Sequence, residues 1–357
     1  MSDITTDRAK QLGKALAITK PRNAYGINVI ELHADTSGLR VQIRDSAGDF
    51  AVVTLTDEPQ PVAIHQLSRE ALTVWSKTLK AKDVLAVTLD AESVSLSRNG
   101  LVTSALATDI VDTASLPDTV AISQALTGIA VPWPELPALL LAAGKDETLP
   151  ALTAISVRYG DARTARLAAT DRYRMVLTDS DPLHYDGHAL VPAAWLGRVT
   201  KQLGGGILGV TDEYAVVADD ADTSWLMGTR LIDAEYPRVD SLVRDSSPIG
   251  LVFDSAELRD AVKLISPSIA KHNPVVFDLA AGVLRTREGE TTVPMPAYSG
   301  DSDGLVIGFT PAYVVDSLAG ITGSVRFGLD SAGKPAIITS ESTKSTRVLM
   351  PVRMATN

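Results

Sequence analysis

Cysteine is absent from all 357 residues. That one absence excludes disulfides, zinc sites with thiolate ligands, iron–sulfur clusters and thiol nucleophiles together, and it fits a reducing cytosol, so a cytoplasmic location is expected. Aromatic residues make up only 5% of the chain. Leu, Val, Ile and Ala must therefore fill the cores, and a hydrophobic content of 45% is enough for them to do so. No run approaches the ~20 apolar residues that a helix needs to cross a bilayer. The first residues, MSDITTDRAKQLGKALA, are too polar for a secretory signal. No membrane association is expected. A net charge of −10 also argues against a protein that coats nucleic acid through bulk basicity.

Motifs that carry chemistry are equally scarce. His184 and His188 in HYDGH have a ligand-like spacing, but Asp181-Pro182 and Gly187 make that stretch a turn, so no metal site is expected. GDSDG at 300–304 resembles a fragment of a calcium loop but lacks the downstream glutamate. The glycines at 204–206 follow a helical segment without a GK[ST], which reads as a helix stop and not a phosphate loop. No G-x-S-x-G occurs. With 43 acidic residues, spacing singles out no carboxylate pair as acid and base. Neither a catalytic constellation nor a cofactor is expected.

What the chain does have is repetition. Leu67–Asn99 reads as a helix, a polar turn and two strands, Val84–Leu89 and Ser93–Ser97. The same order returns at Val191–Asp219 and at Phe309–Ser340. A second unit interleaves with it at Thr6–Asp45, Pro132–Asp171 and Phe253–Arg287. Six helix-then-hairpin units in alternating order imply three domains, 1–118, 119–247 and 248–357, each of two half-units. The expected class is α+β, with two helices per domain packed on antiparallel sheets. The turn-forming stretches Pro117-Asp118 and Ser246-Ser247-Pro248 mark the boundaries.

Charge is unevenly spread over these units. The six helical segments together carry +5, which leaves −15 for the strands and loops. Lys and Arg are good helix formers on solvated faces, which accounts for part of this. A cationic helical layer that tracks a phosphate backbone without reading bases would account for it as well.

Two stretches pair an arginine with a methionine after an apolar strand. They are AATDRYRM (Ala168–Met175) and VLMPVRM (Val348–Met354). A third, GTRLIDAEYPRV (Gly228–Val239), ends on an aromatic-proline turn. Read alone, these are strand ends and a linker; read together, they suit an apolar, methionine-lined groove for peptides.

These same residues resemble bacterial and phage-type DNA sliding clamps, the beta subunit of DNA polymerase III. ATDRYRM is similar to the family's TDGHRL segment, and RLIDAEYPRV to its G-R-L-I-[DE]-G-x-[FY]-P-[DN]-Y. FTPAYVVDSL is similar to its F-N-x-x-Y-[VL]-[LV]-D-x-L helix, and VLMPVRM to its terminal V-[ML]-M-P-[MV]-R-[LI]. The order and spacing of all four agree. The resemblance implies a ring-shaped homodimer of clamp-type domains around double-stranded DNA, bound without sequence preference. It implies no catalysis. Polymerase, clamp loader and other replication or repair proteins would dock by short peptides in a groove between the second and third domains.

Carried over residue by residue, the resemblance places in that groove Leu152, Thr170, Arg172, Tyr173, Arg174, Met175, Pro237, Leu242, Thr310, Tyr313, Val348, Met350, Pro351, Val352, Arg353 and Met354. Arg172-Tyr173 stands where the family has Gly-His, Thr310 where it has Asn, and Val239 where it has a tyrosine. The expected DNA-facing residues are Lys14, Arg22, Lys77, Arg198, Lys201 and Lys263. The alternative is a clamp-derived protein that binds peptides but does not encircle DNA.

Overall fold

The computed structural model describes residues 2–19, 28–45, 48–76, 80–89, 93–106, 129–130, 134–159, 165–180, 187–203, 206–218, 224–243 and 247–354. Arg22, Lys77, His184, Gly204 and Gly205, and the turn residues Pro117, Asp118 and Ser246, lie outside them.

Six α-helices occur among the described residues: Thr6–Ile18, Arg69–Ser76, Leu136–Ala142, Ala193–Leu203, Ser255–Ile265 and Pro311–Ser317. Each opens one of the six half-units, and a hairpin follows each. The local reasons are ordinary. Thr5 caps the first helix, its hydroxyl accepting from the Arg8 N–H at 3.3 Å. Ala9, Leu12, Ala15 and Leu16 line that helix's buried face at helical spacing. Asp254 caps Ser255–Ile265 by accepting from Ala256 and Glu257, and Leu258, Val262 and Ile265 form its buried stripe. Leu136–Ala142 and Pro311–Ser317 each carry a proline in the first turn, where a missing N–H costs nothing. These two helices have only seven residues each, about two turns.

Contacts group the chain into two compact units. The first is Met1–Val131 with Trp195–Leu231, and the second is Pro132–Ala194 with Ile232–Asn357. The middle repeat contributes to both.

In the first unit an eight-stranded antiparallel sheet runs through Ala63–Gln66, Asn28–Asp35, Gly38–Asp45, Phe50–Thr56, Trp225–Arg230, Tyr214–Ala218, Ile207–Val210 and Ile129–Ala130. A seam between repeats lies where Trp225–Gly228 pairs with Phe50–Val53. The tip of the Phe50 ring presses on Gly228, and a Cβ there would come within 2.1, 2.4 and 2.8 Å of its Cζ, Cε1 and Cε2. Tyr214 meets the same ring edge-on, with centroids 5.5 Å apart. Beside the seam, the buried Asp49 carboxylate accepts from Thr229 Oγ1 at 2.7 Å and pairs with Arg198. A smaller sheet holds Ser2–Ile4, Leu85–Leu89, Ser93–Arg98 and Leu101–Leu106.

The second unit has a nine-stranded sheet in the order His188–Pro192, Ala154–Tyr159, Ala165–Thr170, Arg174–Ser180, Thr346–Leu349, Ala336–Thr339, Ser324–Leu329, Ile249–Asp254 and Tyr298–Ser299. Its seam pairs Arg174–Leu177 with Leu349–Thr346, antiparallel. Strands 275–278, 283–285, 292–294 and 306–309 form a separate four-stranded sheet. Phe253, Phe277, Phe309 and Phe327 anchor the core around the helix Ser255–Ile265.

Candidate peptide-binding groove

The turn Thr170–Arg174 is built by its own side chains. Thr170 Oγ1 donates to the Arg174 carbonyl at 2.7 Å and accepts from the Arg172 N–H at 3.1 Å. Asp171 Oδ1 accepts from the Tyr173 and Arg174 N–H groups, both at 3.0 Å. This geometry puts Arg172 at φ +78°, a left-handed conformation that favours glycine. The family's glycine at this place is thus replaced at some steric cost.

Arg174 is tied down from three sides. Its Nε donates to Asp171 at 3.0 Å and its Nη1 to Asp316. Its guanidinium lies 4.4 Å from the centroid of the Tyr313 ring. Tyr173 stacks on Tyr313 with centroids 6.3 Å apart and planes 26° apart. Burial pushes the Tyr313 phenol above its ordinary range, and the Asp171 charge adds to this. The phenol therefore stays protonated and able to donate at neutral pH.

The chain's last strand meets this turn. Met175 pairs with Val348, and the Met350 N–H donates to the Tyr173 carbonyl at 2.8 Å. The Val352 N–H then donates to the Gly308 carbonyl at 2.8 Å. A Cβ at Gly308 would come within 3.4 Å of Met354 Sδ, so the methionine lies close against that backbone. Beneath the turn, Met175 and Val348 share an apolar cluster with Ala168, Leu177, Tyr236 and Val239. The Tyr236 hydroxyl donates to the Ala168 carbonyl at 3.3 Å.

Arg347 anchors the last strand from inside. It is 1% exposed. Its Nη1 donates to the Ser317 and Ala319 carbonyls at 2.8 and 2.7 Å. Its Nη2 lies 4.0 Å from Glu135, which is also buried and accepts from the Lys344 N–H at 2.8 Å. Burial lowers the Arg347 pKa, and Glu135 opposes that shift.

Two depressions flank the tyrosine pair. One, of about 320 Å³, is lined by Ala143–Asp146, Leu149, Leu152, Asp171–Arg174 and Tyr313. The other, of about 720 Å³, is lined by Tyr173, Ser266, Ile269–Asn273, Thr310–Tyr313, Val315 and Asp316. Tyr173 and Tyr313 border both.

Of the residues expected in a groove, Leu152, Arg172, Tyr173, Arg174, Thr310 and Tyr313 line these depressions. Thr170 and Met350 hold the turn's backbone, and Met175 and Val348 lie in the cluster below. Pro351, Val352 and Met354 are half-buried along the tail, and Arg353 is exposed. Pro237 and Leu242 are exposed and line neither depression, while their neighbours Tyr236 and Val239 are buried. Sequence reading missed Asp171, although it lies within the motif already singled out. It also missed the wall at 266–273, which no motif signals.

The expected DNA-facing residues are less uniform. Lys14, Lys201 and Lys263 are exposed on their helices. Arg198 is anchored inward, with its Nη2 on buried Asp49 and its Nε donating to the Ile18 carbonyl at 3.1 Å. No group of three or more His, Cys, Asp or Glu is placed to hold a metal among the described residues.

No family model matches the chain. A curated protein named Beta sliding clamp from Micrococcus luteus is 37% identical over 137 residues, 35% of this chain and 42% of that one. Another of the same name from Streptomyces coelicolor is 28% identical over 242 residues, 60% of this chain and 62% of that one. The chain thus spans about half the length of these curated relatives. The crystal structure of a DNA polymerase sliding clamp from Bacillus subtilis superimposes with a TM-score of 0.78, covering 99% of each chain at 19% identity. The fold is therefore α+β of the sliding-clamp type, and the sequence-level resemblance to sliding clamps extends to named curated proteins.

Proposed function

We propose that this protein is a DNA polymerase processivity factor, a non-catalytic homodimeric clamp that encircles duplex DNA and tethers replication and repair proteins by their peptides. The observation that carries the proposal is the likeness in fold to a solved polymerase clamp along 99% of the chain. Three clamp domains, 1–118, 119–247 and 248–357, would repeat around the ring, in the cytoplasm and without a cofactor. The exposed Lys14, Lys201 and Lys263, with Arg22 and Lys77, would supply a phosphate-tracking surface. Arg198 would hold that surface from within, not touch DNA.

An edge strand suits closure by a second copy. Among the described residues Leu101–Leu106 ends its sheet, and Leu101 and Val102 are 79% and 63% exposed. An open edge with exposed apolar side chains is a template for pairing with another chain. The groove around Tyr173 and Tyr313 would take partner peptides with leucine and phenylalanine anchors. Its backbone is fixed by Met350 and its underside by the Met175–Val348 cluster.

The test of encirclement is retention on nicked circular DNA compared with the same DNA linearised, after loading with a polymerase clamp loader. Retention should be lost on linearisation. Equal retention on both forms would refute encirclement and favour a clamp-derived peptide-binding protein. Light scattering gives the assembly, and a monomer at micromolar concentration would count against a closed ring. Met350→Ala should weaken binding of a polymerase-derived peptide by about fivefold or more, the range of an interface anchor. It should leave dimerisation intact, and unchanged peptide affinity would remove Met350 from the site.

A further inference from the structure

The basic side chains around the groove are not equally available to a ligand. Arg174 is spent on Asp171, Asp316 and the Tyr313 face. That engagement also neutralises Asp316, the one acidic side chain lining the larger depression. Asp146, on the smaller depression, is turned onto its own loop, where it accepts from the Thr148 N–H and Oγ1 at 3.0 and 2.6 Å.

Lys271 is different. It lies with His272 on the turn closed by the Asn273 N–H donating to the Ala270 carbonyl at 2.9 Å. Its side chain is exposed and lines the larger depression, and it makes no ion pair among the described residues. Ile269, Ala270, Pro311 and Val315 give that depression an apolar floor. The lining of the larger depression therefore combines apolar side chains, the Tyr173–Tyr313 pair and one lysine. It sits on a chain whose total charge is −10, so the local sign is opposite to the background.

We propose that this groove selects an acidic peptide, with Lys271 as the specificity-determining residue that receives a carboxylate next to the apolar anchors. The proposal rests on the peptide-groove reading above. The physical basis is complementarity. The trough buries an apolar side chain, and a flanking glutamate or aspartate then finds Lys271, the only lysine or arginine in the lining of the larger depression. A basic peptide would meet Lys271 with like charge and gain nothing from Asp316, which Arg174 already holds.

The experiment uses the full chain and capped, fluorescent decapeptides with a leucine–phenylalanine pair. Two glutamates or two glutamines flank the pair, on its N-terminal or its C-terminal side. In one orientation the glutamate peptide should bind about fivefold tighter than its glutamine twin at low salt, the upper range for an exposed ion pair. The preference should fade as salt screens it. Lys271→Glu should abolish or invert the preference, read as the ratio of the two peptides' affinities on the same variant. Because Lys271 is exposed, the variant should fold, and its circular dichroism and melting should match the parent. If both peptides bind equally in both orientations, or if the preference survives Lys271→Glu, the selectivity proposal is overturned and the groove stands. If no peptide binds, the groove reading falls and the selectivity proposal falls with it.

Discussion

The two seams of this molecule are built alike and finished differently. In each, a hairpin strand of the middle repeat zips antiparallel onto a strand of a neighbouring repeat. In each, a buried or partly buried arginine faces a buried carboxylate, Arg198 with Asp49 and Arg347 with Glu135. The first seam is sealed, because the Phe50 ring presses on Gly228 and Tyr214 packs edge-on against the same ring. At the second, the turn carries Tyr173 outward at 55% exposure, and depressions open on both sides of its ring. One seam shows what the repeat needs to hold a sheet together. The other shows how the same junction opens two depressions once its aromatic points outward beside a left-handed residue.

Three substitutions break or sharpen that contrast. Arg347→Ala should have the largest effect. It strands Glu135 in the interior and leaves the Ser317 and Ala319 carbonyls without their donor, a loss of about 3–5 kcal/mol for a broken buried pair. Urea unfolding of the full chain would measure it, and a loss below about 1 kcal/mol would mean that the pair behaves as a surface bridge. Gly228→Ala should cost about 1–3 kcal/mol by forcing the Phe50 ring off the sealed seam. The matching readout is the melting temperature, with peptide binding at the other seam unchanged. A fall in peptide affinity without a fall in melting temperature would show that the seams are not independent.

Arg172→Gly should have the smallest effect and the opposite sign. Relief of a left-handed non-glycine residue is worth about 1 kcal/mol, reduced by the larger entropy of glycine in the unfolded chain. Melting should rise slightly or not at all. A clear drop would mean that the Arg172 side chain contributes more than its backbone costs.

Much of the fold was legible in advance. All six helix-then-hairpin units appear where the periodicity placed them, because a switch from helical to alternating spacing is a local signal. Leu258, Val262 and Ile265 announce a buried helical stripe whatever they pack against. The turn at 170–174 was also marked, since Thr170 and Asp171 bind the backbone only a few residues away. Arg198 was not legible. As a basic residue on a helix with no acidic neighbour, it read as solvent- or DNA-facing, yet its partner Asp49 is about 150 residues away in sequence. The groove's second wall at 266–273 was equally silent. It carries no motif, and only the packing of its turn beside the helix Pro311–Ser317 makes it a wall.

Sequence alone therefore determined the element order and the repeat, since these depend on local spacing and composition. Tertiary structure decided which charges are free and which are spent. Arg174, Arg198 and Arg347 give no sign in the sequence of being buried or spent, and each faces a carboxylate brought from a distant segment, Asp316, Asp49 and Glu135. Lys271 stays available because no carboxylate among the described residues pairs with it. A charge acts through distance and burial, and neither can be read from order along the chain.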